Sequence, residues 1–294
     1  MIKINDFILE RYKVKDQIGR GGMSDVYEAR DIILKKSVAI KILNEEAIKI
    51  KDNLIRFENE AKISASLNHP NVVQIYNYDE FHGRPFIVNE YQKGQTLKDA
   101  LSFKKYFSLY ESCLMMLQLL DAIIYIHSKN IIHRDIKPQN IFYGSEGVIK
   151  LSDFGISIIK NSPNNVVENK VVVGTAQYLA PELIRGKKPN EQSDIYSIGV
   201  TFFEIVTGYL PFDGENANKI AISHIQNDFP SPLKYMPNLP KSFEEIIFKA
   251  TDKDLEKRYK SASEMKEDVL NLFYNKKVMR KTTPLLVRLF GIRK

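Results

Sequence analysis

The chain has 294 residues, 44% hydrophobic and 27% charged, the proportions of an ordinary globular protein with room for one large or two small domains. It lacks an apolar run of about 18 residues, so no membrane span is expected. The start Met1-Ile2-Lys3-Ile4-Asn5-Asp6 has an early acid and no apolar core, unlike a secretory signal. The one cysteine, Cys113, excludes an internal disulfide and suits a reducing cytosol. It lies in an apolar helical stretch and reads as core. The net charge of +7 is localised: residues 276–294 carry seven basic residues and no acid, leaving 36 basic and 36 acidic residues elsewhere. A nucleic-acid-binding protein more often spreads a basic stripe over its folded face, so no nucleic-acid partner is expected.

Residues 12–42 read as strands, with Tyr12, Val14 and Ile18 on even spacing and Val38, Ile40 and Ile42 alternating. Residues 51–67 read as a helix with Leu54, Phe57, Ala61 and Leu67 on one side, stopped by His69-Pro70-Asn71. Val72 to Asp79 and Pro85 to Tyr91 form a hairpin around His82-Gly83, which completes a small unit of about five strands and one helix. Helices then take over. Ser108-Leu109-Tyr110-Glu111 is a capping box opening a helix that runs to His127. A second long helix is predicted from near Ser193 to Gly208, a residue suited to a left-handed cap. Further helices are predicted at about 215–227, 241–251 and 261–274. The expected fold is α+β and bilobal: a β-rich lobe at 1–92, a larger, mostly helical lobe at 93–275, and a basic tail at 276–294.

Several segments carry chemistry. Ile18-Gly19-Arg20-Gly21-Gly22-Met23-Ser24-Asp25-Val26 lies between two strands, where glycines let the backbone approach phosphates and aim N–H groups at them. By itself it is equally a hairpin turn. Val38-Ala39-Ile40-Lys41 is a strand with an inward lysine, which could hold phosphates if an anion such as Glu60 orients it or could simply snorkel. His133-Arg134-Asp135-Ile136-Lys137-Pro138, then Asn140, then Asp153-Phe154-Gly155, place a carboxylate, an ammonium and two hard oxygen ligands in sequence order.

Taken together these stretches resemble the protein kinase family, from about Tyr12 to about Phe273. The resemblance implies roles by position. Asp135 is the base, Lys137 neutralises the transferring phosphate, and Lys41 with Glu60 holds the α- and β-phosphates. Glu60 is chosen over Glu58 by register with the family's helix. ATP lies under Ile18, Gly19, Arg20, Gly21, Gly22, Met23, Ser24, Asp25 and Val26. Its adenine sits between Val26, Ala39 and Phe142 and bonds the backbone of Glu90 and Gln92. Asn140 and Asp153 hold Mg2+, with Mn2+ as an alternative. Ser24 replaces the family's third glycine, and Asn89, before the hinge, puts an amide where the family usually has Met, Leu or Thr. His133, His69 and His127 read as structural.

Gly174-Thr175-Ala176-Gln177-Tyr178-Leu179-Ala180-Pro181-Glu182 resembles the peptide-docking segment, with Glu182 pairing Arg258 and Asp194 accepting N–H groups of the catalytic loop. Small-molecule kinases usually lack that segment, and a pseudokinase would have lost one of Lys41, Asp135, Asn140 or Asp153. Lys137 with Thr175 is the serine/threonine pattern, and the wording of several stretches is similar to bacterial Hanks-type kinases, which implies phosphorylation of proteins, autophosphorylation and a role in bacterial signalling. Many such relatives continue into a membrane helix and sensor repeats, which do not follow here. The segment Gly155–Gly174 holds Ser157 and Ser162 but no threonine, so Glu168, between Val167 and Asn169, is expected to stand in for a phosphate, with Ser162 as the rival. The tail, Lys276-Lys277-Val278-Met279-Arg280-Lys281 followed by Thr282, Thr283 and Leu285 to Ile292, reads as a partnerless end, as peripheral contact with anionic membrane, or as a docking site for an acidic substrate or regulator. The expected location is cytoplasmic, with the membrane periphery as the alternative.

Overall fold

The computed structural model describes residues 2–144, 146–159 and 176–274. The expectations for Ser162, Val167, Glu168, Asn169, Gly174, Thr175 and the basic tail lie outside the described residues.

The N-terminal part is a six-stranded antiparallel sheet. It comprises β1 (Phe7–Ile8), β2 (Tyr12–Arg20), β3 (Ser24–Asp31), β4 (Lys36–Leu43), β5 (Ile75–Phe81) and β6 (Arg84–Glu90), in the order β1-β2-β3-β4-β6-β5. Helix α1 (Lys51–Ala65) enters between β4 and β5. The sixth strand exceeds the expectation of about five because β1 has only two residues, too few to display alternation. Period-two side-chain direction organises the sheet. Val38, Ile40 and Ile42 are fully buried on one face with Val14, Tyr27 and Phe86, which leaves Ala39 and Lys41 on the other. Alternation misleads at Ile18. The β2–β3 register shifts between Val14 and Asp16 and again between Gln17 and Gly19, and the second irregularity turns Ile18 out of the core.

The rest of the described chain is mostly helical. It holds β7 (Gln95–Thr96), α2 (Leu97–Lys104), α3 (Leu109–Ser128), β8 (Ile131–Ile132), β9 (Ile141–Tyr143), β10 (Ile149–Leu151), β11 (Ile158–Ile159), α4 (Pro181–Ile184), α5 (Glu191–Thr207), α6 (Ala217–Gln226), α7 (Lys241–Ala250) and α8 (Ala262–Tyr274). The Ser108–Glu111 capping box is formed reciprocally, and a second one, Thr96–Asp99, starts α2, which periodicity did not predict. Helix α5 starts two residues before Ser193, because Asn190 caps it and Ser193 returns the bond. It ends at Gly208 with φ +78, where a Cβ would lie 2.3 Å from the Lys105 carbonyl oxygen. Glycine is required there both by the left-handed backbone and by that close approach.

Helix α3 is apolar and long enough to cross a bilayer, although no uninterrupted apolar run announced it. Its Leu117, Leu120, Ile123 and Ile126 are instead buried in one cluster with Phe202 of α5, Phe243 of α7 and Met265 of α8. Cys113 is fully buried in that cluster, and burial pushes its thiol up, away from reactivity.

Candidate active site

A cleft of about 260 Å³ lies under the sheet face that carries Ala39 and Lys41. Ile18, Val26 and Ala39 line it from the sheet and Phe142 from β9; Lys41, Glu60, Asn140 and Asp153 supply charge and hard oxygens. Gln92 also lines it. Just past β6, it makes no hydrogen bond among the described residues, and its Nε2 is buried without a partner. Asn89 lines the cleft too, and its half-exposed amide opens onto that space, which lessens the cost of burying it.

Lys41 Nζ donates to Glu60 Oε1 at 2.7 Å and Oε2 at 2.9 Å, and lies 3.4 Å from Asp153 Oδ1. Burial opposes the ammonium charge, but the Glu60 and Asp153 carboxylates outweigh it and raise Lys41 above its ordinary range. In turn Lys41 holds Asp153 below the usual carboxylate range, against burial. Glu58 bonds its own helix neighbour, Lys62, at 2.7 Å on the solvent side. Gly155 fits closely here: a Cβ would meet Asp153 Oδ1 at 3.2 Å and Glu60 Oε2 at 3.3 Å.

Beside the cleft, next to Asn140, Asp135 accepts from Lys137 Nζ at 2.8 Å on both oxygens and from Asn140 Nδ2 at 2.9 Å on Oδ2. Arg134 and Asp153 hold left-handed backbones, φ 70 and 64, uncommon for such residues and stable only where surroundings enforce them. At Arg134 the enforcement is visible. Asp194, fully buried, accepts the N–H groups of His133 at 2.9 Å and Arg134 at 2.8 Å. Burial pushes Asp194 up, but the bond to His127 Nε2 at 2.8 Å and these contacts prevail and hold it low. The His133 ring meets Phe154 edge-on, with centroids 4.8 Å apart, and burial lowers its pKa, as befits a structural residue.

On the far side, Arg258 Nη1 and Nη2 donate to Glu182 at 2.8 and 3.1 Å, both residues being buried. His224 of α6 fixes the neighbouring segment: Nε2 donates to the Gln177 carbonyl at 3.1 Å and Nδ1 accepts from the Tyr196 hydroxyl at 2.7 Å. That arrangement suits neutral imidazole, and burial pushes His224 down to about 4, with the Lys253 ammonium adding to the fall. The folded state therefore resists a proton that the unfolded chain accepts at its ordinary 6.5. No penalty exists above that pH, and one of about 3 kcal/mol develops as pH falls from 6.5 to 4. Denaturant unfolding across this window is expected to be less steeply pH-dependent for His224→Gln than for the parent; identical slopes would contradict the assignment.

The structure thus gathers Lys41, Glu60, Asn140 and Asp153, with Ile18, Val26, Ala39, Glu90, Gln92 and Phe142, around one cleft; Asp135 and Lys137 are not in its lining but adjoin it through the bond from Asn140 to Asp135. It does not bring all of the glycine-rich segment to the lining. Gly21 N–H bonds the Ser24 carbonyl at 2.8 Å to close the hairpin, with Gly22 inside that turn and Gly19 in β2 before it. Met23 packs against the cluster of Leu43, Phe57 and Ile87 beneath α1. Asp25 faces Arg20 and Arg84. Sequence reasoning missed Ser64, Val73 and Ser152, which also line the cleft. None belongs to a motif, and only the packing of α1 and β10 brings them there.

The profile of the protein kinase domain matches residues 12–270. The chain is 42% identical over 263 residues to the serine/threonine-protein kinase PrkC of Bacillus subtilis (strain 168), covering 90% of this chain and 40% of that protein. It is 39% identical over 270 residues to the probable serine/threonine-protein kinase PknB of Lactococcus lactis, covering 92% and 43%. It is 35% identical over 267 residues to PknB of Mycobacterium leprae, covering 90% and 43%. The chain spans about two fifths of the length of these relatives. With that match over most of its length, and with the cleft arranged as described, the chain belongs to the protein kinase family.

Proposed function

We propose that the chain is an ATP-dependent serine/threonine protein kinase, transferring the γ-phosphate of Mg-ATP to protein hydroxyls and to itself in bacterial signalling. The observation that carries this reading is the convergence of Lys41–Glu60, Asn140 and Asp153 on one cleft, with the Asp135–Lys137 pair bonded to Asn140 beside it.

Ile18, Val26, Ala39 and Phe142 offer apolar faces for a purine, and Glu90 and Gln92 offer main-chain groups at its edge. Lys41, fixed by Glu60, offers a positioned ammonium to phosphate oxygens. Among the described residues no group of three or more His, Cys, Asp or Glu could hold a metal alone. The donor set is that of a magnesium site completed by substrate phosphates: the Asp153 carboxylate, exposed to the cleft, and the Asn140 amide, whose nitrogen is committed to Asp135 so that its oxygen is the donor left. Bound there, the cation neutralises charge on the phosphate oxygens; manganese would fit the same oxygens. Asp135 orients the acceptor hydroxyl and takes its proton, and Lys137 faces the transferring group. Positioning and electrostatic stabilisation suffice because the transition state is loose.

The test is incubation with labelled ATP, magnesium and both an acidic and a basic protein, followed by phosphoamino-acid analysis. Label is expected on serine or threonine. Nucleotide binding without label transfer would identify a pseudokinase, and label on small molecules only would identify a different kinase class.

A further inference from the structure

Asn89 lines the cleft proposed for the nucleotide, and the chemistry described above gives it no part. Alternation along β6 places it. Phe86 and Val88 are buried in one cluster with Val38 and Ile40, while Ile87 clusters with Phe57 and Ala61 of α1. Asn89 shares the side of Ile87, and the register sets it between Ala39 of β4 and Ile75 of β5. Its side chain has no hydrogen-bond partner among the described residues. Gln92, in the same lining, has none either, and its Nε2 is buried. Two uncommitted carboxamides thus flank Glu90 and Tyr91.

The surroundings of Asn89 define what it meets. Residues directly opposite on paired strands stand about 5 Å apart. A flat base lying on Ala39 therefore has Asn89 at its rim, next to the main chain of Glu90 and Gln92. The hydrogen-bonding edge of a purine carries its 6-substituent, a donor when amino and an acceptor when oxo. A main-chain carbonyl or N–H has fixed polarity and favours one of the two. A carboxamide offers both an acceptor and a donor, and a half-turn of its terminal torsion exchanges them. An apolar side chain at this position would offer neither. A polar group enclosed without a partner is costly, so a base that fills this cleft either bonds the Asn89 amide or strands it.

We propose that Asn89 reads the 6-position of the purine and lets this site use 6-oxopurine nucleoside triphosphates as well as ATP. With ATP, Asn89 Oδ1 accepts from one N–H of the 6-amino group and the Glu90 carbonyl from the other. With a 6-oxopurine, Asn89 Nδ2 donates to O6 and the Glu90 carbonyl accepts from N1–H. This deepens the kinase reading and rests on its placement of the base.

The test uses the full chain with magnesium, a protein acceptor and γ-labelled ATP or ITP, read as kcat/KM. Inosine is the probe because it has the 6-oxo group without the 2-amino group of guanine. The parent is expected to use ITP within about tenfold of ATP, the scale of one hydrogen bond. Asn89→Asp keeps the shape and the acceptor but removes the donor, and is expected to lower the ITP-to-ATP ratio by at least about tenfold. Asn89→Met is expected to lower that ratio too, and Asn89→Gln, which keeps both donor and acceptor, to preserve it. Equal ratios in the parent, Asn89→Asp and Asn89→Met, as from a merely structural residue, would overturn the inference. So would a parent that labels protein with ATP and not with ITP, while the kinase reading stands. Should neither nucleotide transfer label, the kinase reading fails. The ATP and ITP dissociation constants of the same variants then decide the base contact separately: the ratios above support it, and equal ratios remove it.

Discussion

Asp135→Asn is expected to lower phosphoryl transfer by at least about a hundredfold, the scale of a lost general base, with nucleotide affinity nearly unchanged. The separation follows from geometry. Asp135 is gripped by Lys137 and Asn140 on the loop side of the cleft, whereas the apolar faces for a base and the Lys41–Glu60 pair belong to the sheet and α1. Asparagine keeps the shape and still accepts from Lys137 on one oxygen, but it cannot take a proton. It also leaves Asn140 Nδ2 facing an amide, so part of the loss is positional. Steady-state transfer to a peptide, measured beside nucleotide titration, checks this. Near-normal phosphorylation would remove Asp135 as the base.

The second large effect concerns stability. Arg258→Met is expected to destabilise the fold by about 3–5 kcal/mol, as when one partner of a buried ion pair is removed. Arg258 is 1% and Glu182 4% exposed. The guanidinium also donates to the carbonyls of Asp252 and Gln192, each at 2.8 Å, so it ties three stretches of chain together. After the change the Ser193 hydroxyl, at 2.8 Å, is the side-chain partner left to the buried Glu182 carboxylate among the described residues. The double variant Glu182→Met/Arg258→Met is expected to lose less than the single, because no uncompensated charge remains. Urea unfolding midpoints decide it; a single-variant loss below about 1 kcal/mol would show the pair to be no more than a surface bridge in effect.

The parts of this architecture legible in the sequence are those where local pattern and chemistry coincide. Register separates Glu60 from Glu58 because residues two apart on a helix face different ways: one meets Lys41, the other Lys62. The Ser108 capping box and the Gly208 stop were readable because their bonds are local. Failures have equally physical causes. Ser64, Val73 and Ser152 carry no motif, and only tertiary packing brings them to the cleft. Ile18 follows even spacing until a strand irregularity reverses it. Lys98 and Glu204 are 106 residues apart and belong to no motif, so only the packing of α2 on the catalytic loop brings them together.

The division of labour between the two cleft carboxylates is the centre of this account, and nucleotide dissociation constants with and without magnesium test it most directly. In the parent and in Asp135→Asn, magnesium is expected to strengthen ATP binding equally. In Asp153→Asn, where Lys41 keeps Glu60 but the metal-facing carboxylate is gone, the magnesium-dependent gain is expected to be lost along with transfer. A magnesium gain retained in Asp153→Asn and lost in Asp135→Asn would contradict the account, since it would exchange the roles assigned to the two residues.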